Sequence, residues 1–152
     1  MATKLKIDLG EVEAFTNTLR KLPEEKMKER KKFMRRQGSI LRRDTARMAR
    51  SRVNKVAVNR RKYQREAGQY HKSIKRGKWY LYGNEVDCIR VYSYDPIAHL
   101  IEGGWTPVLR DGRSGSHVAG KNIFKDAADA FEPKFNAACD QFAAGYKAEI
   151  EK

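Results

Sequence analysis

At 152 residues the chain is long enough for one modest core, and its 40% hydrophobic content excludes a wholly disordered protein. A net charge of +14 suggests an acidic neighbour (nucleic acid, an acidic protein surface or, less favoured, a membrane face), the alternative being a solvated basic face. No run approaches the roughly 18 apolar residues of a membrane span, and Met1-Ala2-Thr3-Lys4-Leu5-Lys6 lacks the apolar core of a signal peptide, so synthesis in the cytosol is expected.

The charge is uneven. Arg20 to Arg65 holds 19 basic against 4 acidic residues, whereas residues 123–152 hold 4 basic against 6 acidic. Cys88 and Cys139 lie far apart with no CxxC spacing, so both are expected to be reduced and structural.

In chain order, Lys4 to Leu9 alternates polar and apolar residues and predicts a short strand or arm. Val12, Phe15, Leu19 and Leu22 follow at helical spacing and are interrupted by Pro23, which suits the first turn of the next helix with Glu24 and Glu25 at its positive end. From there to Val53 the apolar residues Met27, Met34, Leu41 and Met48 recur every seven, with Gly38 and Thr45 between them. That predicts a basic amphipathic helix, either the spine of the fold or a projection from it, with a narrow seam for one partner surface.

Residues 54–69, with five basic side chains and little periodicity, read as a basic loop that orders on a partner. The period then changes to two. Tyr70–Ile74 and Lys78–Tyr82 are predicted strands joined through Arg76-Gly77, and Gly83-Asn84-Glu85 turns the chain into Val86–Tyr94, the best strand. Asp95-Pro96 ends it, and Trp105 to Lys121 reads as an exposed loop or splayed hairpin. Phe124, Ala128, Phe131, Phe135, Ala138, Phe142, Tyr146 and Ile150 predict a closing amphipathic helix, kinked or divided at Pro133.

The expectation is a single α+β domain over 1–152: an N-terminal arm and short helix (1–22), a long basic helix (23–53), a basic loop (54–69), a sheet (70–94), a loop region (95–122) and a C-terminal helix (123–151). The two long helices pack a three- or four-stranded antiparallel sheet.

No reading of the residues favours an enzyme, a cofactor or a metal. Gly115-Ser116-His117-Val118-Ala119-Gly120-Lys121-Asn122 has phosphate-loop spacing, but Asn122 stands where a magnesium-binding hydroxyl belongs and no buried strand precedes it. A Gly-rich loop before a helix is the expectation. His71, His99 and His117 lack metal-ligand spacing and are expected at the surface or an interface; Asp87, Asp95 and Glu102 form no carboxylate pair, and Gly112-Arg113-Ser114-Gly115-Ser116 is not a nucleophile elbow. For nucleic acid, the charge is joined by Tyr63, Tyr70, Trp79 and Tyr80, which serve equally well as core.

Ala67-Gly68-Gln69-Tyr70-His71-Lys72-Ser73-Ile74 resembles a T-G-x-L-x-x-S-I motif, departing at Ala67 and Tyr70. Tyr94, His99-Leu100-Ile101-Glu102-Gly103-Gly104 and Ile123-Phe124-Lys125-Asp126-Ala127 are similar to the segments that follow that motif, in the same order. The pattern, over about residues 25–150, resembles the tail-completion or neck proteins of long-tailed bacteriophages, also described as head–tail joining or minor capsid proteins. The resemblance implies a non-enzymatic virion protein, made in the host cytoplasm, that forms a homo-oligomeric ring, with six copies expected. The ring would sit between the head connector and tail-tube or terminator proteins, with DNA passing through its channel.

Arg42, Arg43, Arg47, Arg50, Arg60, Arg61 and Arg65 are the candidates for contact with an acidic partner or DNA. Glu102, Gly103, Gly104, Trp105, Arg110 and Arg113 are the candidates for contact with a neighbouring subunit, the first three shaping the turn that presents the loop. The alternative is a small DNA- or RNA-binding protein whose arginines contact phosphates directly.

Overall fold

A computed structural model describes residues 26–84 and 86–150. The predicted arm, the first short helix and the Pro23 turn lie outside the described residues.

Helix α1 runs Met27–Arg52, about 39 Å at 1.5 Å per residue. Helix α4 runs Ile123–Ile150. The two lie antiparallel: Tyr146 Oη donates to Glu29 near one end (2.8 Å), and Arg52 pairs with Asp126 at the other (2.6 Å). Between them Phe33 stacks on Phe142 with ring centroids 4.4 Å apart. The predicted aromatic stripe supplies the core, with Phe124, Phe131, Phe135 and Tyr146 buried beside Leu41 and Ile74. Pro133 does not divide α4. Pro133 and Asp129, whose carbonyl it leaves without a helical donor, are both exposed, so water can serve that carbonyl.

The seven-residue seam lies inside the domain. Leu41, Gly38 and Thr45 are buried, and Met34 and Met48 pack on the core. The buried face is wider than the seam, because α1 serves two neighbours. Phe33 meets α4, while Arg30 and Gly38 meet the strands, where a Cβ on Gly38 would come within 2.4 Å of Ile89 Cγ2. The helix is the spine of the fold.

The α+β class holds, and the expected three- or four-stranded sheet is met loosely. Among the described residues the strands form four antiparallel pairs: β1 (Val58–Arg60) with β2 (Tyr63–Arg65), β3 (Ile74–Arg76) with β6 (Val91–Ser93), β4 (Tyr80–Tyr82) with β5 (Val86–Cys88), and β7 (Gly104–Trp105) with β8 (Val118–Ala119). The middle two pairs are halves of one long ribbon. Arg76 faces Val91 and Tyr80 faces Cys88, so residues 77–79 of one arm oppose residues 89–90 of the other, a one-residue bulge bridged by Gly77 N–H to Arg90 O (2.8 Å). Arg76-Gly77 is therefore part of a continuing arm and not a turn between strands.

Of Tyr70–Ile74, expected as strand, only Ile74 is strand; the rest belongs to a short helix, α2, spanning Gln69–Ser73. Gly68 turns the chain into it at φ 74°, and Ser73 Oγ donates to Tyr70 O (2.6 Å). Helix α3 spans Ala98–Gly103.

Two buried carboxylates lock the layers together. Asp87 accepts from Arg30 of α1 and from Trp79 Nε1 (2.7 Å). Asp95 accepts both guanidinium nitrogens of Arg65, at 2.8 and 2.5 Å, and the backbone N–H of Ile97 at 3.0 Å.

Candidate interaction surface

After α3 the chain makes a hairpin whose base is tightly fixed. Gly104 sits at φ 81°, and a Cβ there would lie 2.5 Å from Val118 O; a Cβ on Gly120 would lie 2.1 Å from Glu102 O. Only glycine permits these arms to approach so closely. Lys121 N–H donates to Ile101 O (2.8 Å) and Asn122 N–H to Glu102 O (3.2 Å), closing the base.

The Glu102 carboxylate then reaches the start of α4. It accepts from the backbone N–H groups of Ile123 (2.9 Å), Phe124 (2.8 Å) and Lys125 (3.2 Å). A negative charge at the positive end of a helix, satisfying three donors without helical partners, is a strong cap. It also fills the seat a phosphate would need, so the Gly115–Lys121 segment is no nucleotide cradle. That segment is the returning arm of the hairpin.

Beyond its base the hairpin stands in solvent. Val108 pairs with Ser114, Gly115 N–H donates to Pro107 O (2.7 Å), and Thr106 Oγ1 bonds His117 Nδ1 (3.0 Å). Val108 is 75% exposed, and Leu109, Trp105 and Val118 are also exposed. At the tip Arg113 pairs with Asp111 (2.6 Å) and holds its carboxyl below the usual range, while Arg110 is exposed. The six residues expected to meet a neighbour thus occupy one structure. Glu102, Gly103 and Gly104 form its base, Trp105 its root, and Arg110 and Arg113 its end.

The seven arginines expected to meet an acidic partner do not form one site. Arg43, Arg47 and Arg50 are exposed on α1, Arg47 lying 3.5 Å from Asp44. Arg60 and Arg61 are exposed at the turn of the β1–β2 ribbon, in the segment expected to be an unstructured loop. Arg42 is half-buried and donates to Ile74 O (3.0 Å). Arg65 leaves the set: its side chain is 8% exposed, and its guanidinium is spent on Asp95.

Comparisons with models of known protein families, with curated proteins and with solved structures find no match to this chain.

Tyr70 is buried and offers no face to a base, and half-buried Trp79 bonds Asp87 through Nε1 and has Lys31 Nζ over one ring face at 4.4 Å. His71, expected at the surface or an interface, is buried with Nε2 against Val53 O (2.9 Å), whereas His99 is exposed. Among the described residues no group of three or more His, Cys, Asp or Glu side chains could hold a metal ion, and no helix is long and apolar enough to cross a membrane. A cleft of about 240 Å³ lies between the β1–β2 ribbon and helices α2 and α3, lined by Val56, Val58, Tyr63, Tyr70 and Ile101 among others. Burial, with Glu102 and Asp95 nearby, pushes the Tyr70 phenol well above its ordinary 10.0. Sequence reasoning missed Asp87 and Asp95 as anchors, and it missed the tyrosines that share the outer face of the long ribbon.

Proposed function

We propose that the chain is a non-enzymatic structural subunit of a bacteriophage neck. It would be a head–tail joining or tail-completion protein that assembles as a ring, with six copies expected. The observation that carries this reading is the β7–β8 hairpin, a projection with a glycine-locked base and exposed Trp105, Val108 and Leu109. A lone domain gains nothing from holding apolar side chains in water, whereas a subunit uses such an arm to reach its neighbour. The order of motifs from Gly68 to Ala127 supports the same reading.

A closed ring needs two different surfaces on each subunit, because head-to-tail contact is heterologous. The hairpin supplies one. The cationic face of α1, with Arg43, Arg47 and Arg50, suits an acidic neighbour, either a connector, tail-tube or terminator protein or DNA in the channel. The working place is then the virion neck, reached by assembly in the host cytoplasm.

The test is native mass measurement and electron microscopy of the purified protein at high concentration. A discrete ring is expected, and Val108→Asp with Leu109→Asp should leave a folded monomer. A wild-type protein that stays monomeric and binds no connector or tail protein overturns the reading.

One observation favours a second reading, phosphate contact with DNA or RNA: Arg60 and Arg61 occupy the exposed turn of a projecting ribbon. Duplex binding that weakens steeply with salt, with a slope reduced by about one for each arginine removed, is its signature.

A further inference from the structure

The long ribbon has two unlike faces. Along its second arm Asp87, Ile89, Val91 and Ser93 point inward: Asp87 meets Arg30, Ile89 approaches Gly38, Val91 is buried and Ser93 bonds Ser73. By the two-residue period of a strand, residues 88, 90, 92 and 94 point outward. On the first arm the one-residue bulge shifts the outward set from Lys75 to Tyr80 and Tyr82, and the register places Lys75 opposite Tyr92 and Tyr80 opposite Cys88.

The outer face therefore gathers four tyrosines from both arms. Tyr82 is 52% exposed, Tyr92 41% and Tyr94 59%, while Tyr80 is half-buried. Same-face neighbours along one strand lie about 6.6 Å apart, at 3.3 Å per residue. Cations accompany the rings. Arg90 donates from Nε to Tyr80 Oη (2.8 Å) and lies over that ring at 4.9 Å, and Lys75 stands beside Tyr92. Among the described residues of this face there is no carboxylate, because Asp87 points inward.

We propose that this face binds single-stranded nucleic acid, with bases stacking on Tyr82, Tyr92 and Tyr94 and phosphates held by Lys75 and Arg90. Every base has a π-face, so a row of exposed rings flanked by cations takes a strand without reading its sequence. Duplex DNA buries its base faces in its own stack and cannot use the rings. An acidic protein would satisfy the cations, but it would leave the tyrosines without the flat partners that their spacing along an open ribbon offers. The site shares no residue with the arginines of α1, the β1–β2 turn or the apolar hairpin. It goes beyond the neck reading and does not depend on it.

The experiment is fluorescence anisotropy with labelled oligo(dT), against a duplex of matched length at the same salt. Wild type is expected to prefer the single strand. Tyr92→Ala and Tyr82→Ala should each weaken that binding about tenfold while Tyr92→Phe retains it, because the ring and not the hydroxyl is used. Lys75→Gln should weaken binding less and flatten its salt dependence. Circular dichroism and melting temperature check that each variant folds. Photo-crosslinking of a bromodeoxyuridine oligonucleotide to the wild type gives an answer without mutation, with adducts expected on Tyr82, Tyr92 or Tyr94. Equal affinity for duplex, no binding at all, alanine variants that fold and bind as wild type, or crosslinks confined to Tyr63 would each overturn the proposal. Failure of the protein to form rings would overturn the neck reading and leave this result unaffected.

Discussion

The two small hairpins, β1–β2 and β7–β8, are built to the same plan and equipped for different partners. Each leaves the body beside one carboxylate that fixes its base: Asp95 holds Arg65 of the first, and Glu102 caps α4 beside the second. Their turns differ. Arg60 and Arg61 make one purely cationic, while the other sets exposed Val108 and Leu109 beside Arg110 and the Asp111–Arg113 pair. Chemical specificity is carried by the tip and position by the base. The two carboxylates also anchor differently. Asp95 is fully buried against a side chain 30 positions away, whereas Glu102 is half-buried against backbone donors.

That difference predicts unequal costs. Asp95→Ala leaves the Arg65 guanidinium buried and unpaired, and should destabilise the protein by about 3–5 kcal/mol in urea unfolding. Hydrogen exchange should quicken over residues 58–65 and stay slow at the β7–β8 base. Glu102→Ala removes a cap that water can partly replace, so about 2 kcal/mol is expected, with Glu102→Gln milder. Exchange should then quicken at Ile123, Phe124 and Lys125. If both variants loosen both hairpins alike, the two anchors are not independent.

The smallest effect is set by pH. Tyr70 lines the cleft beneath the first hairpin, with its phenol held above 10.0 by burial first and then by Glu102 and Asp95. A group whose folded value is raised contributes stability that is complete below its unfolded value and lost as pH rises beyond it. Stability should therefore decline above about pH 10. In a spectrophotometric titration Tyr70 should ionise last, together with unfolding.

The reach of the sequence can be judged from the same residues. Both long helices were legible because their apolar spacing runs for many turns, and the wide buried face of α1 still contains the seam at Leu41 and Thr45. Helix α2 was not, because five residues are too few to show a helical period and Tyr70 to Ile74 mimics alternation. The Glu102-Gly103-Gly104 turn was visible, yet the carboxylate's use at Ile123, 21 positions later, was not. Arg65 looked like its neighbours Arg60 and Arg61, since charge says nothing about a partner at Asp95. The four outward tyrosines were hidden by the bulge at residues 77–79, which changes the face on one arm only.

The closed base of the β7–β8 hairpin has a consequence for how this protein can vary. The bonds that fix it lie at residues 101–104 and 118–125, with Arg52 of α1 donating to Lys121 O (2.8 Å), so the stretch from 106 to 117 is free to change length and composition without disturbing either the domain or the start of α4. The arm is an exchangeable cassette: new tips can be tried on an unchanged chassis, one binding partner at a time.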